Sequence, residues 1–229
     1  IYTVPDFQNP TGVTLSLERR KALIALANQH DLIVLEDTPY RHIRFAGQHL
    51  PTLKSLDTEG RVIHLGSFSK VLVPGLRLGW ALAAPGLLAR MGQLKVAADT
   101  QTSTLNMAAA SLFLDRYDLD AHIATLRTAY AAKKEVMLDA IRQHFPQDIV
   151  ATDPQGGLFT WLTFPDGFDA ADFMRHVALP QARVAYVPGA TFFPLTPRAN
   201  HARLNFSSPS ADAIRTGIAA LGRALHATP

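Results

Sequence analysis

The sequence predicts an α/β protein in which a mostly parallel sheet is followed by a small C-terminal α+β domain. Three observations carry this. Short apolar strands alternate with a helix and a loop over residues 1–83, as parallel strands packed under crossovers do. Residues 119–145 contain no proline and keep one apolar side, which predicts a long helix. After Pro146, short strands and helices alternate at closer spacing.

In chain order, residues 1–4 read as the end of a buried strand, and Asn9-Pro10-Thr11-Gly12 is a turn. Ser16 is placed to cap a helix, because its hydroxyl can accept from a free N–H of the first turn, and Glu18 suits the positive end of the helix dipole. Leu23, Leu26 and Ala27 recur at helical spacing up to His30. Residues 32–35 form a short strand that ends at Glu36 and Asp37, and Thr38-Pro39-Tyr40 turns away. Residues 47–60 are loop-rich, 62–65 are the third strand and 76–83 the fourth, with Trp80 in the core. Pro85 suits the first turn of a helix carrying Leu87, Leu88, Met91 and Leu94 on its apolar side, and residues 102–114 form another helix. The long helix presents Ile123, Leu126, Tyr130 and Met137, bridges two domains and stops at Pro146. Strands at 149–152, 158–164, 183–187 and 202–206 then alternate with helices at 170–177 and 211–226. The expected division is 1–118, 119–145 and 146–229.

Composition narrows the function. Of 229 residues, 48% are apolar, enough for a sizeable core. There is no cysteine, which excludes a disulfide framework and a thiolate metal site and is compatible with a reducing cytoplasm. A net charge of +3, spread along the chain, does not read as a nucleic-acid patch. No apolar run is long enough to span a bilayer. The nine histidines, including those four residues from a carboxylate such as His176 after Asp172, are read as core or surface residues, so no metal is expected.

The chemistry concentrates in Ser67-Phe68-Ser69-Lys70 and in Pro74-Gly75-Leu76-Arg77-Leu78-Gly79, on the loop after a buried strand. Open α/β sheets bind ligands beyond the carboxyl ends of their strands. Arginine offers a fixed fork to phosphate, serine hydroxyls add donors, and a neutral lysine amine attacks aldehydes. The stretch reads as a site for a phosphate-bearing aldehyde held as a Schiff base, or else as a surface loop with a solvated lysine. Asp37 either keeps a ring nitrogen protonated or caps a loop. Tyr40 bonds the same ligand or packs, and Asn9 does likewise or forms an Asx turn. Gly156-Gly157 and Pro188-Gly189 read as turns of the small domain, and Trp161 as core. Phe192-Phe193 line a substrate mouth or fill a seam.

Taken in order, Asn9-Pro10-Thr11-Gly12, Asp37, Tyr40, Ser67-Phe68-Ser69-Lys70, Arg77 and Arg203 resemble the class I/II aminotransferases of fold type I. The wording is similar to the aminoadipate, kynurenine and multi-substrate branch. The resemblance implies a fold-type I transferase dependent on pyridoxal 5′-phosphate (PLP), with residues 1–118 the C-terminal part of its large domain. It implies amino-acid and 2-oxo-acid substrates, a cytoplasmic homodimer, no membrane, and no nucleic-acid partner unless a DNA-binding domain is fused upstream. By the same resemblance Lys70 forms the internal aldimine and shuttles a proton, and Asp37 pairs with the pyridine nitrogen. Ser67, Ser69 and Arg77 hold the phosphate, and Asn9 and Tyr40 meet the phenolic oxygen. Arg203, with Asn9, grips the substrate α-carboxylate. The catalytic roles thus fall to Lys70, Asp37 and Tyr40. Two other readings stand beside it: a PLP-binding effector domain of a winged-helix transcription regulator, and another PLP reaction such as a β-lyase or decarboxylase.

Ile1 already lies in an apparent strand, with no methionine before it. Members of the family carry an N-terminal segment ahead of the Asn-Pro-Thr-Gly turn, with a phosphate loop, a ring stacked on the pyridine and residues that reach across the dimer. The expectation is that this part is missing, that sheet edges are exposed, and that the chain alone is a poor or inactive catalyst.

Overall fold

The structure, a computed structural model, describes residues 1–228. The chain forms two compact units, Ile1–Asp6 with Thr14–Leu126 and Phe7–Val13 with Arg127–Pro229.

The first unit is built on four strands in the order β1 (Tyr2–Thr3), β2 (Val34–Asp37), β3 (Val62–Ser67) and β4 (Gly79–Leu82). The first three run parallel, and β4 is antiparallel to β3. Tyr2 lies opposite Leu35, Asp37 opposite Leu65, and Ser67 opposite Gly79. Because side chains alternate along a strand, Val34, Glu36, Val62 and His64 share one face while Tyr2, Leu35, Asp37 and Leu65 share the other. The first face packs on two helices, α1 (Leu17–Gln29) and α2 (Leu53–Leu56), through Ile24, Ala27, Val34, Leu53 and Val62. Ser16 caps α1 as expected, its hydroxyl accepting from Arg19 N at 3.3 Å.

Glu36 is fully buried on that face. It accepts from the Leu53 and Lys54 amides at the start of α2, at 2.7 and 2.9 Å, and from His64 Nδ1 at 2.8 Å. A buried carboxylate is tolerable only when so bonded. A second network lies under α1. Arg20 is fully buried and donates to Asp6 Oδ1 at 2.7 Å and to the carbonyls of Leu15, Pro5 and Pro51. Arg41 and Arg44 approach the same carboxylate at 3.1 and 3.8 Å.

Several expectations need correction. The buried stripe of α1 is Arg20, Ile24 and Ala27, at i, i+4 and i+7, with Arg20 paired to Asp6, and Leu26 falls off that stripe and is exposed. The loop-rich stretch contains α2. The fourth strand starts at Gly79, since Pro74–Leu76 makes a 3₁₀ turn and Arg77 takes a left-handed φ of 52°. Trp80 is not core: it is 44% exposed, on the edge strand beside Leu82. Its ring lies across the bare backbone of Gly66, where a Cβ would clash, and 5.1 Å from the His64 ring. Helix α3 (Pro85–Asp99) begins at Pro85 as expected but buries none of its residues, and Leu94 is largely exposed. Helix α4 (Thr104–Arg116) follows, then α5 (Leu119–His144), within which the division between the units falls.

The second unit holds an antiparallel sheet of β5 (Val150–Ala151), β6 (Phe159–Thr163), β7 (Val187–Pro188) and β8 (His201–Asn205), in the spatial order β5-β6-β8-β7. The strand expected at 183–187 shrinks to β7, because Arg183 adopts φ 56° and ends the preceding helical segment. That segment is α6 (Ala170–Phe173) running into a π-helix, Met174–Ala182, that includes Pro180. Helix α7 (Ala211–His226) buries Ile214, Ile218, Leu221 and Leu225, one face at helical spacing. Trp161 and Leu162 of β6 are core.

Candidate active site

Each unit carries part of the predicted site. In the first, Asp37 closes β2 and Ser67 closes β3, neighbouring parallel strands. Their carboxyl ends therefore lie side by side, and the Ser67–Lys70 loop leaves from the same end of the sheet as Asp37. Ser67, Ser69, Lys70 and Asp37 are half-buried, Tyr40 is buried and Arg77 is exposed. Ser67 Oγ accepts from the Ser69 amide at 3.1 Å, which folds the loop back on itself. Lys70 Nζ makes no hydrogen bond among the described residues. Arg77 borders a cavity of about 580 Å³ shared with Leu65, Gly66, Trp80 and Asn106. Asn106 Nδ2 donates to the Leu76 carbonyl at 3.0 Å and tethers the 3₁₀ turn that presents Arg77.

One contact was not foreseen from the sequence. Tyr2 Oη donates to Asp37 Oδ2 at 2.7 Å. No motif singles out Tyr2; only the register of Tyr2 against Leu35 reveals that it and Asp37 share a face. Burial, then the Asp37 bond and charge, push the Tyr2 phenol up to about 12, so it stays a donor across the physiological range.

In the second unit, Arg203 projects from β8 and donates from Nη1 to Asn9 Oδ1 at 2.6 Å. Its guanidinium lies 4.3 Å from the Phe159 ring centroid and 5.6 Å from that of Phe192. Aromatic faces attract the cation and fix its plane. Phe192 and Phe193 also pack on Trp161, with centroids 5.8 and 6.4 Å away, so they belong to the aromatic wall beside Arg203. The turn that supplies Asn9 is held as firmly. Its Asn9–Pro10 peptide is cis. Thr152 Oγ1 donates to the Thr11 carbonyl at 3.0 Å. Gly12 sits at φ 72°, where a Cβ would come within 2.8 Å of the Phe159 carbonyl oxygen. Gly157, at φ 76°, admits the Phe7 side chain in the same way. Burial first, then the Arg198 charge, lowers the nearby His201 below the ordinary imidazole value. A further cavity of about 630 Å³ near Phe164, Phe168 and Leu225 holds none of these side chains.

Against known proteins, residues 4–221 match the family described as aminotransferase class I and II. The chain belongs to the class I/II aminotransferase family. It is 40% identical over 225 residues to aromatic-amino-acid aminotransferase 1 of Thermococcus litoralis, covering 98% of this chain and 54% of that protein. It is 37% identical to the HTH-type transcriptional regulator TauR of Rhodobacter capsulatus, over 99% of this chain and 46% of the regulator. Among solved structures it superposes with a TM-score of 0.93 on LysN, the α-aminoadipate aminotransferase of Thermus thermophilus, complexed with N-(5′-phosphopyridoxyl)-L-leucine. That match has 38% identity and covers 99% of this chain and 58% of LysN. The fold is that of the type I PLP-dependent transferases. The chain spans about half the length of the curated relatives it matches. No helix among the described residues is long and apolar enough to cross a membrane.

Proposed function

We propose that this chain carries the lysine, the acid and the carboxylate-binding arginine of a PLP-dependent amino-acid aminotransferase. The enzyme moves an amino group between an α-amino acid and a 2-oxo acid. What supports this most is the convergence of Asp37 and the Ser67–Lys70 loop on adjacent carboxyl ends of the sheet. The donor set suits the cofactor: an anion for a ring N–H, hydroxyls and a guanidinium for a phosphate, and an amine that makes no hydrogen bond among the described residues for an aldehyde.

When bound, PLP supplies the aldehyde and the electron sink. The chain supplies the rest. Lys70 would hold the cofactor and supply the base for the proton on the substrate Cα. Asp37 would face the pyridine nitrogen and favour its protonated form. Ser67, Ser69 and Arg77 would hold the phosphate, and Tyr40 and Asn9 the phenolic oxygen. Arg203, oriented by Asn9 and Phe159, binds the substrate α-carboxylate through two parallel N–H bonds and so aims the Cα–H bond. The working form is a cytoplasmic homodimer.

The test is a panel of amino donors and 2-oxo acids with the complete gene product and added PLP. Matched formation of a new amino acid and a new oxo acid is expected. Release of ammonia or carbon dioxide instead would indicate a lyase or decarboxylase. The second reading, a PLP-responsive effector domain, is favoured by the likeness to TauR over nearly the whole chain. Ligand-dependent binding to DNA without amino transfer would favour it.

A further inference from the structure

We propose that Tyr2 is a positioning residue for Asp37, fixing one carboxylate oxygen so that the other meets the pyridine nitrogen and the shared proton rests on the ring. This rests on the reading of Asp37 given above.

The backbone sets up the contact. Tyr2 is registered against Leu35, two residues before Asp37 on a parallel neighbour. Side chains two residues apart share a face, and the length of a tyrosine spans the step along the strand. The hydroxyl of Tyr2 makes a 2.7 Å bond to Asp37, and that bond is what singles the residue out. The bond occupies Oδ2 only, and Oδ1 accepts no hydrogen bond among the described residues. An ionised carboxylate is acceptor-only. With one oxygen fixed by a neutral donor, its plane and the direction of its remaining lone pairs are set.

The electronic consequence has a definite sign. A carboxylate and a pyridine that share one proton can exist as carboxylate with pyridinium or as acid with pyridine. Donation from Tyr2 stabilises the anion, so it favours the first form. Only pyridinium draws electrons strongly from a substrate carbanion. Tyr2 thus touches no reacting atom and acts through Asp37.

The experiment uses Tyr2→Phe in the complete gene product loaded with PLP labelled with ¹⁵N in the ring. Tyr2→Phe should move the ring nitrogen resonance part of the way toward the unprotonated position and weaken PLP affinity about tenfold, the loss of one bond to a charged group. It should lower kcat more than it changes KM and leave the thermal midpoint of the apoprotein unchanged. Asp37→Asn should move the resonance the whole way. A Tyr2→Phe resonance and affinity identical to the parent, with Asp37→Asn shifted, would overturn the role of Tyr2 alone. No PLP uptake by the parent, or an unshifted Asp37→Asn, would overturn the assignment of Asp37 and the role of Tyr2 with it.

Discussion

Two carboxylates stand at or just past the ends of the first two strands of the parallel sheet, and their surroundings differ in kind. Asp6 follows β1, is 1% exposed and faces three guanidiniums, those of Arg20, Arg41 and Arg44. Arg41 Nη1 bonds Oδ2 while Arg20 bonds Oδ1, so neither oxygen is left for a ligand. Asp37 ends β2, is half-buried and its carboxylate takes one hydrogen bond among the described residues, from a neutral phenol. The two acids thus differ in whether a carboxylate oxygen is left without a hydrogen bond among the described residues.

The most severe way to break the contrast is at Lys70. If Asp37 is open because a cofactor fills the space, then Lys70→Ala should abolish covalent PLP attachment. Borohydride reduction and mass spectrometry would check it: the parent gains a phosphopyridoxyl group and the variant does not. Persistent labelling would move the chemistry to another lysine.

Next in size is the pair itself. Asp6→Asn leaves Arg20 buried without its counter-charge, at a cost of about 3–5 kcal/mol in urea denaturation. Asp37→Asn should cost about 1 kcal/mol or less in the same measurement, since one partly exposed bond is lost. Equal losses would erase the contrast. Arg203 in the second unit sharpens it from the cationic side, because its orientation is fixed by Asn9 and Phe159 as Asp6 is by arginines. Arg203→Lys keeps the charge and loses the fork, and should raise KM for the amino acid about 10–100-fold with PLP binding intact.

The smallest effect comes from a third carboxylate in the first unit. Burial raises the Asp57 pKa, but bonds from Lys54 and from the Val62 and Arg61 amides outweigh it and hold the group at about 2. Its folded value lies below its unfolded one, so its contribution is complete above the ordinary carboxylate range and is lost as pH falls through about 2. The protection factor of the Val62 amide, its exchange rate set against the intrinsic rate at each pH, should fall over that acid interval and stay flat from pH 5 to 7.

Much of this was legible from residue order. The strands that end at Asp37 and just before the Ser69-Lys70 pair follow from short apolar runs, and the Ser16 cap from a hydroxyl placed before a helix, which has one evident use. What escaped depends on partners far along the chain. Leu26 reads as core from its spacing, yet the buried stripe runs through Arg20, which pairs with Asp6. Trp80 reads as buried by type, yet it sits on an edge strand over Gly66, a position fixed by strand order. Tyr2 needed a register, which no local pattern supplies. The segment around Pro180 reads as a helix ending at 177, because proline cannot donate within an α-helix; the wider turn of the π-helix carries the chain past it.

Glu36 and Asp37 are consecutive, so they leave β2 in opposite directions. One is riveted to the head of a helix; the next meets the Tyr2 hydroxyl on the other face. Any tug on the outward acid is met one residue back by the rivet, so the strand tip behaves as a fixed post. Amide protection at Leu53 and Lys54 should accordingly be the same in the empty and the loaded protein, while that of the 67–70 loop changes.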